Sequence, residues 1–198
     1  MALEKPGGGL RPIAIGEVLR RLVAKCFCKT YKKDSYSYLW PRQIGVASPL
    51  GAEVGSQTVR QWLQRNKTSA GKVIFVADFK NAFNSIDRGK FLHEARHHLP
   101  GLSRWVEWCY GGSSKLFFEG TIKSDVGVQQ GDPLGPLLFS LALQPILVEL
   151  SKITGLDLSF SFLDDLVVAG NQASVAAGIE FIKAIGNHPG LAAESFKK

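Results

Sequence analysis

Cysteine is scarce in this chain: Cys26, Cys28 and Cys109 are the only three in 198 residues. An odd, sparse count without paired spacing excludes a disulfide framework and a Cys-based zinc knuckle, and points to a reducing compartment. A membrane-length apolar run is also missing. The longest candidate, near residues 137–150, is interrupted by Gln144 and Pro145, so no membrane partner is expected. No secretory leader opens the chain, and an intracellular location, nucleus or cytoplasm and not secreted, is the expectation. Repeats, low-complexity tracts and a clear linker are absent as well, and 45% hydrophobic content in this length is enough for one substantial core. Negative charge is short, with 17 acidic against 24 basic residues and a net charge of +7. The excess sits at the front: residues 1–42 carry nine basic and three acidic side chains, while the remainder is nearly balanced. A basic segment set against an acidic site suits a polyanionic partner, whose phosphates it would hold without reading sequence.

What is present is a pair of adjacent aspartates, Asp164 and Asp165, inside the apolar stretch Ser159 to Ala169. The pattern predicts two strands meeting at an acidic turn. Like charges beside a core cost on the order of several kcal/mol per buried ion. A divalent cation offsets that cost, and carboxylate oxygens are the ligands magnesium prefers. A third carboxylate, Asp78, ends the continuous apolar run Lys72-Val-Ile-Phe-Val-Ala-Asp78, which reads as a strand buried on both faces. Together the three acids would form a cluster able to hold two cations about 3.5–4 Å apart, the arrangement used for in-line phosphoryl displacement. Taken singly, each has a plainer role: an acidic pair suits a solvated turn, and an Asp after a strand suits a helix N-cap.

Between these acids lies Gln129-Gln130-Gly131-Asp132-Pro133-Leu134. Asp132 and Pro133 fit the N-cap and first position of a buried helix running to Leu150. Gly131 lets backbone approach a ligand, and Gln130 offers a donor and an acceptor beside it.

Here the chain resembles a known family. Asp78-Phe79-Lys80-Asn81-Ala82-Phe83-Asn84 is similar to motif A of reverse transcriptases, Gln130-Gly131-Asp132-Pro133-Leu134 to motif B, and Phe162-Leu163-Asp164-Asp165 to the motif C hairpin, with Phe in place of the usual Tyr. Gly45 to Glu53 resembles the stretch before motif A in eukaryotic non-LTR retrotransposon polymerases. Three motifs in order make the likeness specific. It implies an RNA-directed DNA polymerase with Asp78, Asp164 and Asp165 as catalytic metal ligands for Mg2+, with Mn2+ as a substitute. Phe83 would be the aromatic gate that clashes with a ribose 2′-OH. Gln130 and Gly131 would lie by the incoming dNTP. Lys5 and Arg11, which flank the Pro6-Gly7-Gly8-Gly9 turn, would grip its triphosphate, Arg in a bidentate manner and Lys as a point charge. Lys197 would be a general acid for pyrophosphate. The implied partners are an RNA template, a DNA or RNA primer and dNTPs.

The implied fold is α+β, a right-hand polymerase palm with an antiparallel sheet backed by helices. The whole chain, 1–198, would be one reverse transcriptase domain fragment: 1–70 partial fingers and connecting helices, 71–198 palm, with the thumb expected to be missing. Three other readings compete. His93-Glu94-Ala95-Arg96-His97 matches the H-E-x-x-H pattern of zinc hydrolases, in which both histidines share a helix face and Glu94 is the base. A non-catalytic nucleic-acid-binding remnant would keep the basic surface without turnover. An RNA-synthesising polymerase would share the acids, although Phe83 favours DNA synthesis.

Overall fold

The computed structural model describes residues 2–4, 10–79, 81–117 and 120–186, with backbone alone for 2–4 and 10–12. In chain order the elements are β1 (Ala2–Glu4), β2 (Leu10–Pro12), α1 (Val18–Thr30), α2 (Lys32–Leu39), α3 (Gly51–Arg65), β3 (Lys72–Asp78), α4 (Ala82–Ser85), α5 (Arg88–His98), α6 (Pro100–Tyr110), β4 (Ser114–Phe117), β5 (Thr121–Ser124), α7 (Gly135–Leu150), β6 (Leu156–Phe162), β7 (Asp165–Asn171) and α8 (Gln172–Gly186). Two short antiparallel hairpins, β1–β2 and β4–β5, flank a three-stranded antiparallel sheet in the order β3-β7-β6.

The sheet is two-faced, and the alternation of its side chains explains why. Ala77, Leu166 and Val168 are buried and join one core with Phe91, Leu92 and Ala95 of α5, Leu102 and Val106 of α6, the apolar length of α7, and Val175 and Ile182 of α8. Successive residues along a strand point to opposite faces, so Val76, Asp78, Phe160, Val167 and Asp165 share the other face by register. That face is closed over β6, where α3 crosses so near that a Cβ on Gly55 would lie 2.8 Å from Ile44 Cδ1 and 3.3 Å from Phe160 Cε2. Over β3 it is open: Val76 is 52% exposed.

Several expectations are corrected here. β3, at the edge of the sheet, buries one face and not two, because its other face lies open at Val76 and Asp78. Its Val-Ile-Phe-Val run packs Val73 and Phe75 inward against the core. The buried helix begins at Gly135 with Pro136 in its first turn, not at Pro133. Asp132 caps the turn before it, its Oδ1 accepting from Leu134 N at 2.9 Å. β2 ends at Pro12, because Ala14 N leaves the hairpin to donate to Gln130 O at 2.9 Å. No helix among the described residues is long and apolar enough to cross a membrane.

Candidate active site

Asp78 and Asp165 are direct partners across β3 and β7. Opposed residues on one face of an antiparallel pair have Cβ atoms about 4.5–5.5 Å apart, and like charges there destabilise the sheet. The effect is visible on Asp165: burial first, then the charge of Asp78, raises its carboxyl above the ordinary carboxylate value. Both residues are exposed overall, so water screens much of this repulsion. Asp164 stands one residue back in the two-residue turn and is partly buried. Among the described residues, no three histidine, cysteine or carboxylate side chains converge as ligands of one ion. The assembled unit is the Asp78–Asp165 pair, with Asp164 beside it. An all-oxygen, doubly charged donor set at the rim of an open face fits a hard divalent cation.

The turn bearing Asp164 is tight. Leu163 takes its first position with φ +56°, a left-handed conformation in which glycine is the usual occupant. Gln43, from outside the hairpin, holds it there: Oε1 accepts from Leu163 N at 2.8 Å and Nε2 donates to Leu163 O at 3.1 Å, while Ser161 Oγ, within the hairpin, donates to the same carbonyl at 2.6 Å.

The other expected residues gather along the loop ahead of α7. Gly131 has φ +118°, and a Cβ there would lie 2.7 Å from Ala14 O, so both its conformation and the close approach require glycine. Gln130 is partly exposed beside it. Phe83, on α4, is half-buried and stacks on Phe139 with ring centroids 4.6 Å apart. Its carbonyl accepts from Val128 N at 2.7 Å, and Gly127 N donates to Ile86 O at 2.9 Å. The segments after Asp78 and before Gln130 are thereby bound into one unit.

Beneath that loop lies a network the motifs alone did not reveal. Asp132 Oδ2 accepts from Tyr110 Oη at 2.7 Å and from Arg20 Nη2 at 3.2 Å. Burial, then the Asp132 charge, raises the Tyr110 hydroxyl above its ordinary value. On the other side of Tyr110, Arg88 donates to Gly127 O, Gly112 O and Ser124 Oγ at 3.0, 3.1 and 2.8 Å. The sequence marked Asp132 only as a helix cap, and nothing local pointed to Arg20 or Tyr110.

Lys5 and Lys197 lie outside the described residues, and Arg11 is placed only by its backbone, opposite Leu3 in the first hairpin. The zinc reading is overturned. His93 and His97 do share a face of α5, with ring centroids 4.2 Å apart. Glu94 points elsewhere, accepting from Tyr38 Oη and pairing with His98 Nε2 at 3.5 Å. The Glu94 carboxylate is committed to Tyr38 and His98, and among the described residues no third side chain joins His93 and His97 as a ligand.

An antiparallel sheet backed by helices, with acids at one end of its open face, is the palm of a right-hand polymerase. The same fold occurs in telomerase from Candida Tropicalis, solved in complex with a TWJ fragment of telomeric RNA: TM-score 0.60, 12% identity, covering 91% of this chain and 36% of that one. The chain belongs to the family described as reverse transcriptase (RNA-dependent DNA polymerase), whose model matches residues 3–191. Curated relatives include the Retrovirus-related Pol polyprotein from type-1 retrotransposable element R2 of Nasonia vitripennis, 33% identical over an alignment of 124 residues, with 54% of this chain and 12% of that protein covered. The Retrotransposable element SLACS 132 kDa protein of Trypanosoma brucei gambiense is 26% identical over 196 residues, 93% of this chain and 16% of that protein. The chain thus spans less than a fifth of the length of either relative.

Proposed function

We propose that this chain carries the palm and part of the fingers of an RNA-directed DNA polymerase that adds dNTPs to a primer 3′-OH on an RNA template. In this reading residues 1–70 belong to the fingers and connecting helices, and 71–198 to the palm. The observation that carries it is the register that opposes Asp78 to Asp165 at the rim of the open face. The reaction forms a bond from the primer 3′ oxygen to the α-phosphorus of the dNTP and breaks the bond to pyrophosphate, which leaves with the electron pair.

Asp78, Asp164 and Asp165 would hold magnesium, or manganese in its place, which when bound supplies electrostatic stabilisation of charge developing on the phosphoryl oxygens and favours ionisation of the primer hydroxyl. The chain's own residues do the rest. The sheet fixes the two opposed carboxylates and the turn presents Asp164. Gln130 and Gly131 line the approach of the nucleotide, with Gly131 admitting close contact because it has no side chain. Lys5 and Arg11 would neutralise triphosphate oxygens, and Lys197 would donate a proton to the departing pyrophosphate. The test is magnesium-dependent extension of a primer on an RNA template by the purified chain. Salt-sensitive nucleic-acid binding with no incorporation would mark a binding remnant instead.

Phe83 supplies the sugar test. Its ring is half-buried and stacked on Phe139. Phe83→Val should shrink the ring side of the site and lower the preference for dNTPs over rNTPs by roughly tenfold to a hundredfold, the worth of one or two methylenes in a pocket. It should also cost about 1–2 kcal/mol of stability through lost packing. Competitive single-nucleotide incorporation of dGTP and rGTP measures the first effect; unchanged discrimination would return Phe83 to a packing role alone.

A further inference from the structure

The turn that carries Asp164 and leads into Asp165 is built in an unfavourable conformation and is secured by a residue 120 positions away in the chain. Two-residue hairpin loops with a left-handed first position normally place glycine there, yet Leu163 sits at φ +56°. Strain of this kind persists only where the surroundings over-determine it, and the surroundings converge on Gln43. Its side chain is fully buried, at 0% exposure. Oε1 accepts from Leu163 N at 2.8 Å and from Gly45 N at 3.0 Å, while Nε2 donates to Leu163 O at 3.1 Å. One side-chain amide thus takes both backbone polar groups of the strained residue, as a neighbouring strand would. The orientation of the amide is fixed by these partners: flipped, its NH2 would face two N–H donors.

The backbone around Gln43 is fitted to the same task. Ser161 N donates to Arg42 O at 2.7 Å and Ile44 N to Ser161 O at 2.9 Å, so residues 42–44 form a short parallel bridge along β6. Gly45 passes so close to the turn that a Cβ on it would lie 2.7 Å from Leu163 N and 2.8 Å from Leu163 Cγ. Ser161 is buried at 0% exposure, and its hydroxyl lies 2.6 Å from Leu163 O and 3.1 Å from Asp165 O. None of these groups is placed to touch substrate. All of them act on the backbone that sets where Asp164 and Asp165 stand.

We infer that Gln43 is the positioning residue for the acidic turn: its buried amide locks Leu163 in the left-handed conformation and so holds Asp164 and Asp165 in register with Asp78. The inference rests on the reading that these acids bind the catalytic cation. Groups that orient ligating side chains are typically worth 10–100-fold in affinity or activity, and the strain predicts which substitution can replace the clamp. Glycine adopts φ +56° without penalty. Gln43→Ala should therefore be harmful with Leu163 present and much less so with Leu163→Gly.

The experiment uses the full chain and the four members of the cycle: the parent, Gln43→Ala, Leu163→Gly and the double variant, with Gln43→Glu as a second clamp variant that keeps the size and loses the donor to Leu163 O. Each is followed by amide hydrogen exchange at Leu163 and by Mn2+ binding read from the free-ion electron paramagnetic signal, neither of which needs turnover. Gln43→Ala should lose at least about tenfold in Leu163 protection and about 10–100-fold in Mn2+ affinity. In primer extension the same loss should appear as a raised Mg2+ requirement and a lowered kcat, with KM for dNTP little changed. The double variant should recover most of the Mn2+ affinity. Parental Mn2+ affinity in a folded Gln43→Ala, or in Gln43→Glu where the alanine variant fails to fold, would overturn the proposal. So would a double variant no better than Gln43→Ala, since simple core packing would not be rescued at Leu163. A parent that binds Mn2+ at Asp78 and Asp165 but extends no primer would refute the polymerase reading and leave the clamp standing.

Discussion

Asp165→Asn should abolish primer extension and at the same time make the metal-free chain more stable. The first effect follows from the opposition of Asp165 and Asp78 across the strands. Replacing one of the two facing carboxylates removes a negative ligand and leaves the geometry intact, so the loss belongs to chemistry. Removal of a single group that stabilises transition-state charge costs about 10²–10³-fold, and a shared cation ligand should lie at the upper end. The second effect follows from the raised pKa of Asp165, caused by burial and then by the charge of Asp78. For a carboxyl whose folded-state pKa is raised, the stabilising contribution is full below the unfolded pKa and is lost as pH rises through the folded one. At neutral pH the ionised Asp165 is therefore a net burden, which asparagine relieves. Thermal melts without divalent ions should show a higher Tm for Asp165→Asn at pH 7 and a smaller gap as pH falls into the carboxylate range. Adding Mg2+ should raise the Tm of the parent more than that of the variant, because a ligand that binds only the folded state stabilises it. Extension by Asp165→Asn at the parental rate would end the assignment of these acids. A lower Tm for the variant at neutral pH would show that the pair is relieved by something other than a cation.

That trade of stability for a charged site also separates what the sequence made legible from what it did not. The opposition of Asp78 to Asp165 was foreshadowed because Asp78 closes one apolar run and Asp165 opens another, and a strand that finishes or begins on a carboxylate delivers it to the rim of a sheet. The open face of β3 was not legible: a Val-Ile-Phe-Val run reads alike whether a second layer covers both faces or only one, and that depends on where α3 crosses. The start of α7 was misplaced by two residues because Asp132 offers a good cap locally, whereas Tyr110 and Arg20, from 22 and 112 residues away, compete for its oxygen. Gln43 escaped for the same reason, since its partners lie on a turn remote in sequence and a lone polar residue in a loop carries no periodic signal. The H-E-x-x-H match misled because spacing fixes the two histidines on one face but says nothing about Glu94, which Tyr38, from α2, and His98, one turn further along α5, claim.

Asp132→Ala should be among the most destabilising single substitutions in the chain, by about 3 kcal/mol. The Asp132 side chain is 4% exposed and satisfies three donors: Leu134 N at 2.9 Å, Tyr110 Oη at 2.7 Å and Arg20 Nη2 at 3.2 Å. Alanine would leave the first two without acceptors inside the protein. Arg20, 18% exposed, can still reach water, so its share is discounted from the full cost of an orphaned ion. Charge balance makes the loss worse. The Arg20 and Arg88 guanidinium carbons lie 5.3 and 5.2 Å from the centroid of the Tyr110 ring, and Asp132 is the anion that hydrogen-bonds to both Arg20 and Tyr110. Without it, two cations face one ring and repel each other. Asp132→Asn keeps the acceptor for Leu134 N and should cost about half as much; Tyr110→Phe removes a single bond and should cost about 1 kcal/mol. Urea unfolding of the three variants measures this order. The loop above should respond too, because Gln130 and Gly131 are tethered between Asp132 and the backbone of Ala14. In Asp132→Asn, the variant mild enough to assay, KM for dNTP should rise more than kcat falls, since the residue orients the nucleotide approach and not the acids. An Asp132→Ala chain as stable as the parent would show that Arg20 and Tyr110 find other partners and that the network does not hold this loop.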